Sequence, residues 1–173
     1  SIRVNTYGTV DEANSLIGIA IAHWPEGETT LRAELIQIQH ELFDCGSDLS
    51  LKEGTETKFG YKVNKEMVSF LEERIDAYQD EAPELRCFIL PGGTLSASYL
   101  HAARTVVRRA ERLTVRLARR EKINPWVLIY LNRLSDFLFA AARVMNHRAG
   151  YQDIHYVRSG QVFQQQNKNE RND

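Results

Sequence analysis

The spacing of apolar residues is the feature that most constrains the fold of this chain. In five long segments apolar side chains recur every three to four positions, the period of an amphipathic helix, and no strand pattern of any length occurs. Thr9 and Glu12 match a capping box, so a first helix is predicted to begin near Thr9 and to end before Pro25. A second helix is predicted from about Thr30 to Leu49, and its inward side chains are Leu31, Leu35, Ile38, Leu42 and Phe43.

Proline, glycine and capping residues bound three further helices. Residues 64–82 carry a helical pattern, and the preceding stretch, LKEGTETKFGYK, is predicted to be a loop. Thr94 follows a Pro-Gly-Gly turn signal and predicts the cap of a fourth helix that reaches about Lys122. Asn124 followed by Pro125 is a strong start signal for a fifth helix. Five amphipathic helices joined by short loops predict an all-α fold, a five-helix up-down bundle.

The length of 173 residues favours a single domain. We assign residues 1–160 to the helical bundle and expect residues 161–173 to be a polar, disordered tail, because its last ten residues, QQQNKNERND, include no apolar anchor. No apolar run reaches the roughly 20 residues of a membrane span. Cys45 and Cys87 belong to no CxxC motif and have no histidine at ligand spacing, so a zinc site is disfavoured. We interpret both as reduced thiols of a cytoplasmic protein, with a disulfide as the alternative.

Positive charge is concentrated in the fourth helix of a chain whose net charge is −1. Between Thr94 and Lys122, eight basic and two acidic residues give a local net charge of +6. Arg104, Arg108 and Arg112 are spaced i, i+4, i+8 and line one strip of the helix, where like charges repel unless an anion compensates them. Guanidinium groups bind phosphate through paired hydrogen bonds. The spacing alone leaves two interpretations open, an anion site or pairing with acidic side chains of neighbouring helices.

Polar residues also flank the apolar seam of the fifth helix. Asn132 and Asp136 lie one turn apart beside that seam, a costly position unless they are hydrogen-bonded. Either they bridge neighbouring helices, or Asn132 contacts a ligand that lies between the fourth and fifth helices. Glu111, among the arginines, could orient one of them or accept a hydrogen bond from a sugar hydroxyl.

Four motifs, in the order YGTVDE, FILPGG, ARTVVRRAER and YLNRLSD, resemble those of the PduO-type ATP:cob(I)alamin adenosyltransferases. The resemblance covers nearly the whole ordered chain. It implies a five-helix bundle that assembles as a homotrimer with active sites at the subunit interfaces. It also implies transfer of the 5′-deoxyadenosyl group of ATP to cob(I)alamin, which forms adenosylcobalamin and releases triphosphate. ATP, Mg²⁺ held by ATP, and the substrate cobalamin are the expected ligands.

The same resemblance implies roles for particular residues. The residues that would contact ATP are Arg108, Glu111, Arg112 and Asn132. Arg104 would pair with Asp11, across the subunit interface, and hold the site in shape. Phe88 would lie beneath the corrin and help to displace the lower ligand of cobalt. Arg108 and Phe88 are therefore the expected catalytic residues, and protein ligands for Mg²⁺ are unknown.

One segment of the family pattern is missing from the sequence as given. The Gly-rich segment T-x-x-G-D-x-G, which wraps the triphosphate, would lie before Ser1. We therefore expect the phosphate half of the site to be incomplete and this chain to be less than fully active. Beyond the two substrates, a reductase and a cobalamin-dependent acceptor enzyme are candidate partners, and neither nucleic acid nor a membrane is expected.

Other functions suit a helical bundle less well. A di-iron carboxylate bundle needs Glu-x-x-His pairs, and the sequence contains none. A helical nucleic-acid binder would explain the basic helix, but a chain with an isoelectric point near 6.5 lacks the usual excess of positive charge. A helical trimer without catalysis is the third alternative.

Overall fold

The computed structural model describes residues 1–52 and 60–158. Within these ranges the chain forms five α-helices: α1 (Ile2–Ala22), α2 (Thr30–Ser50), α3 (Lys65–Glu81), α4 (Leu95–Ala118) and α5 (Pro125–Arg148). The β-pairing in the same ranges is a single antiparallel bridge between Ile89 and His155. The predicted all-α five-helix fold is confirmed. The predicted tail, and most of the predicted loop before α3, lie outside the described residues.

Capping residues set the starts of α3, α4 and α5, as the sequence predicts. In each case the cap side chain accepts a hydrogen bond from a backbone N–H in the first turn, which would otherwise lack a partner. The caps are Asn64, Thr94 and Asn124, which accept from the backbone nitrogens of Met67, Ala97 and Trp126 at 3.1, 3.2 and 3.1 Å. The end of α4 lies at Ala118, a turn earlier than predicted.

The predicted start of the first helix is wrong. Helix α1 begins at Ile2, and the Ser1 hydroxyl caps it by accepting from the Val4 nitrogen at 3.3 Å. The Thr9 hydroxyl donates instead to the carbonyl of Asn5, 2.7 Å away, as threonine does inside a helix. A capping-box pattern in the sequence does not distinguish these two roles, and here burial of the preceding turn extends the helix.

The helices pack in the order α2, α1, α4, α5, α3, so α4 is central. The core is built from fully buried side chains of all five helices, among them Ile17, Leu35, Leu71, Leu100 and Leu138. Phe43, predicted to point inward, is 69% exposed, because the helical period gives the buried positions to Leu42 and Cys45. Cys45 and Cys87 are not bonded to each other. No helix in the described ranges is long and apolar enough to cross a membrane.

Candidate functional site

A cleft of about 370 Å³ opens where α4 and α5 meet the segment that precedes α4. Its walls are formed by Leu85, Phe88, Ile89, Arg104, Arg108, Ser135, Asp136 and Phe139. The cleft thus combines an aromatic rim, two guanidinium groups and an apolar floor. It brings together four residues singled out from the sequence, Phe88, Arg104, Arg108 and Asp136, which come from three different segments of the chain.

Phe88 stands at the rim of this cleft with 57% of its surface exposed. Its backbone is fixed, because its carbonyl oxygen accepts a hydrogen bond from the Tyr156 nitrogen at 2.8 Å. Two residues later the Leu90 nitrogen donates to the carbonyl of Ile154, also at 2.8 Å. An exposed aromatic ring on a fixed backbone offers a ligand a flat apolar surface in a defined place.

Arg104 lies deeper in the cleft and is only half exposed. Its guanidinium carbon is 5.9 Å from the centroid of the Phe139 ring, a cation–π contact. Its buried Nε has no hydrogen-bond partner among the described residues. Burial, and then the positive charge of Arg108, lower the pKa of Arg104 below its ordinary value. A buried guanidinium with a donor to spare is suited to receive an acceptor from outside this chain.

His101 lies behind Arg104 and is 3% exposed. Its ring meets the Phe139 ring edge-on, with 6.0 Å between the centroids. Neither ring nitrogen has a hydrogen-bond partner within the part of the chain that is described. Spacing in the sequence gives His101 no catalytic or metal partner; only its position three residues before Arg104 connects it with the cleft.

The adjacent arginines of α4 have different surroundings. Arg109 forms an ion pair with Glu12 of α1. Arg108 and Arg112 are exposed and form no ion pair with any described residue. The strip itself, Arg104, Arg108 and Arg112, forms no ion pair with a described residue, so these guanidinium groups are left available to an anion.

A polar bridge joins α4 and α5 beside the arginine strip. The side-chain amide of Asn132 donates to the Glu111 carboxylate at 2.8 Å. The amide oxygen of Asn132 accepts from Arg133, which also pairs with Asp136 at 3.0 Å. Asn132 therefore fixes the Glu111 carboxylate, whose second oxygen accepts no hydrogen bond from a described residue.

Asp11 lies away from this cleft. It is exposed on α1, where it lines a second groove of about 620 Å³ between α1 and α2. The exposed Phe43 lines the same groove. Asp11 makes no ion pair with Arg104 inside this chain, so the expected pair is not formed within one copy. The described residues contain no group of three or more His, Cys, Asp or Glu side chains that could hold a metal ion.

Comparisons with known proteins agree with one another. The family model described as cobalamin adenosyltransferase matches residues 1–145. A corrinoid adenosyltransferase of Bacillus subtilis is 58% identical over 172 residues, which are 98% of this chain and 88% of that protein. A cobalamin adenosyltransferase of Cupriavidus metallidurans is 42% identical and covers 91% of this chain and 82% of its own.

A comparison with solved structures also finds similarity to corrinoid adenosyltransferases. A variant of the PduO-type ATP:corrinoid adenosyltransferase of Lactobacillus reuteri, complexed with cobalamin and ATP, superposes with a TM-score of 0.87. The two sequences are 46% identical, and the match covers 94% of this chain and 88% of that one.

Protonation of His101 should reduce the stability of the fold at acidic pH. Burial, and then the charge of Arg104, lower the pKa of His101 from 6.5 to about 4, while Asp153 acts in the opposite direction. Between these two values the unfolded chain binds more protons than the folded one, so the free energy of unfolding should fall as the pH drops. We expect a loss of about 2 kcal/mol from this residue.

Urea denaturation at pH 7 and pH 4.5 measures this loss. The His101→Leu variant, which has no titrating group there, should lose less stability over the same interval. An identical pH dependence in the two proteins would show that His101 does not titrate in this way.

Proposed function

Because the chain belongs to the cobalamin adenosyltransferase family, we propose that it transfers the 5′-deoxyadenosyl group of ATP to cob(I)alamin, forming adenosylcobalamin and releasing triphosphate. The observation that carries this proposal is the α4–α5 cleft. It combines an apolar rim at Phe88, suited to a corrin face, with the guanidinium of Arg108, which pairs with no described acidic side chain and is suited to a phosphate.

The reaction does not require a nucleophile from the protein. Cobalt(I) attacks carbon 5′ of ATP; the cobalt–carbon bond forms, the bond from carbon 5′ to the phosphate oxygen breaks, and its electron pair leaves with the triphosphate. The substrate thus supplies the reactive atom, and the protein supplies position and charge. The protein must hold carbon 5′ in line with cobalt, and it must stabilise the negative charge that grows on the leaving group.

We assign this stabilisation to the strip on α4 and the bridge to α5. Arg108 and Arg112 have no acidic partner among the described residues, and this supports their assignment to the phosphates. Glu111, held by Asn132, has a free carboxylate oxygen for a ribose hydroxyl or for an arginine. Since no described cluster of side chains suits a metal ion, we propose that Mg²⁺ is carried by ATP, and no step depends on a protein-bound metal.

Phe88 is assigned to the corrin. Cobalt(II) that has lost its lower axial ligand accepts an electron more readily than cobalt(II) that retains it. An exposed aromatic ring on a fixed backbone can exclude both that ligand and water from the lower face. Phe88 would in this way promote formation of cobalt(I) before the transfer itself.

Assembly as a homotrimer is supported by the separation of Asp11 from Arg104. One copy presents an exposed carboxylate, Asp11, in the α1–α2 groove, and in the other cleft the guanidinium of Arg104, whose Nε has no partner among the residues that the structure describes. Such groups can pair between two copies but not within one. We propose that this contact closes the site at each subunit interface, in a cytoplasmic enzyme that receives electrons from a reductase and delivers adenosylcobalamin to an acceptor enzyme.

Removal of the Arg108 side chain should abolish most turnover without unfolding the protein. Loss of one preorganised charge-stabilising group costs about 100-fold or more in rate. The measurement is the ATP-dependent appearance of the adenosylcobalamin spectrum in Arg108→Ala. Arg120→Ala is the control, because it removes one exposed positive charge beyond the end of α4. Transfer by Arg108→Ala at the parent rate would refute the assignment.

Phe88→Ala should reduce the rates of transfer to the two forms of cobalamin, cobalt(II) and cobalt(I), by different factors. The transfer rate of the variant should fall about tenfold or more with cobalt(II) and a reductant, because the Phe88 ring is proposed to act before reduction. The rate should fall less with chemically pre-reduced cobalt(I). The ratio of the two rates is the quantity to measure. Equal losses in both assays would remove the proposed role of the ring.

Asp11→Asn should weaken assembly and cobalamin use together. An unpaired guanidinium at a buried interface is costly, so the neutral variant should dissociate at higher protein concentration than the parent. Sedimentation velocity reports the oligomeric state, and the Michaelis constant for cobalamin reports the site. If both are unchanged, Asp11 does not pair with Arg104 between subunits.

A further inference from the structure

Phe88 belongs to a short two-stranded ribbon at one end of the bundle. We use the term terminal ribbon for residues 88–90 together with residues 154–156, which run antiparallel. Their pairing consists of the bridge between Ile89 and His155 and the backbone hydrogen bonds that flank it. The position of the Phe88 ring therefore depends on what holds residues 154–156 in place.

Apolar packing contributes little to holding this segment. Ile154 is 53% exposed, Tyr156 is 40% exposed and Val157 is 90% exposed. Segments with few buried apolar contacts open easily unless polar contacts restrain them. The restraint on the terminal ribbon must therefore come chiefly from specific polar bonds.

Two such bonds are made by one guanidinium group, that of Arg143 on α5. The Nε atom of Arg143 donates to the Asp153 carboxylate at 3.0 Å, and the two side chains are only 8% and 15% exposed. A second nitrogen of Arg143 donates to the Pro83 carbonyl at 2.7 Å. Arg143 thus binds the segments that lead into both strands of the ribbon, and its ion pair with Asp153 is largely shielded from bulk water, which makes such a bond stronger.

Arg143 does not itself reach the site. It lines a separate cavity of about 250 Å³, which shares only Leu85 and Phe139 with the α4–α5 cleft. The proposed mechanism gives this buried pair no task.

We propose that the Arg143–Asp153 ion pair positions Phe88: it fastens residues 154–156 against residues 88–90 and so sets how far the Phe88 ring projects over the corrin. Both are positioning residues, since neither touches a substrate. The inference rests on the role proposed above for Phe88. Breaking the pair should therefore resemble removal of the Phe88 ring, in a milder form, and should leave ATP binding intact.

The test uses Asp153→Asn, which keeps the size of the side chain and removes its charge. The matched control is Glu81→Gln, which breaks the 2.6 Å ion pair between Glu81 of α3 and Arg148, on the same helix as Arg143, without contacting the ribbon. Two quantities are measured in each protein. One is the amide hydrogen exchange of Leu90 and Tyr156, which donate the ribbon's hydrogen bonds, and the other is the ratio of transfer rates from cobalt(II) with a reductant and from pre-reduced cobalt(I).

In Asp153→Asn we expect both amides to exchange about tenfold or more faster. We expect the rate from cobalt(II) to fall about fivefold relative to the rate from cobalt(I), with the Michaelis constant for ATP unchanged. Asp153→Glu, which retains the carboxylate, should show smaller changes than Asp153→Asn in both the amide exchange and the rate ratio. Glu81→Gln should resemble the parent protein in both measurements.

Unchanged exchange at Leu90 and Tyr156 would overturn the inference, because the ion pair would then not hold the ribbon. Faster exchange with an unchanged rate ratio would also overturn it, if Phe88→Ala does shift that ratio. A Phe88→Ala variant that leaves the ratio unchanged would instead refute the proposed role of Phe88, and with it the functional part of this inference. The exchange rates would still decide whether the ion pair fastens the ribbon.

Discussion

The burial of one face of α4 between α1 and α5 is the constraint on which the rest of this structure depends. Ala103, Val107 and Ala110 are fully buried on that face, and two of them are small enough to let the neighbouring helices approach closely. The rotation of α4 that buries them also fixes where its arginines point. Arg108 is thereby directed to the cleft and Arg109 to the carboxylate of α1.

At the base of the cleft, buried polar atoms without hydrogen-bond partners among the described residues lower the stability of the fold. His101 and Arg104 bury nitrogen atoms without hydrogen-bond partners in the described part of the chain, and each such atom costs free energy. Other buried polar groups are satisfied: the Asp48 carboxylate, for example, accepts from the Val63 nitrogen at 3.0 Å and from the Asn124 amide at 2.8 Å. Unsatisfied groups gathered beside an open cleft are consistent with a surface completed by a ligand or a second subunit.

The turn before α4 connects this cleft to the end of the bundle. Gly93 has a φ of +105°, and a Cβ atom there would collide with the Asn146 side chain, so glycine is required on two grounds. Asn146 donates to the Gly92 carbonyl and accepts from the Thr94 nitrogen, both at 2.9 Å. Together with Arg143, Asn146 makes the end of α5 the support for the segment that carries Phe88.

The sequence by itself determined the five helices, most of their starts and the family, because helical period, capping residues and ordered motifs are local signals. It did not determine that Thr9 lies inside a helix or that Phe43 faces outward, since both depend on packing of segments distant in sequence. The sequence separated Arg108 from Arg109 by helical position, but it did not show that Glu12 of α1 pairs with Arg109, because a helical pattern does not reveal which side chain stands opposite. The contact of Asn132 with Glu111, and the support of Phe88 by residues more than 60 positions away, were decided by tertiary structure alone, since only folding brings those backbones within hydrogen-bond distance.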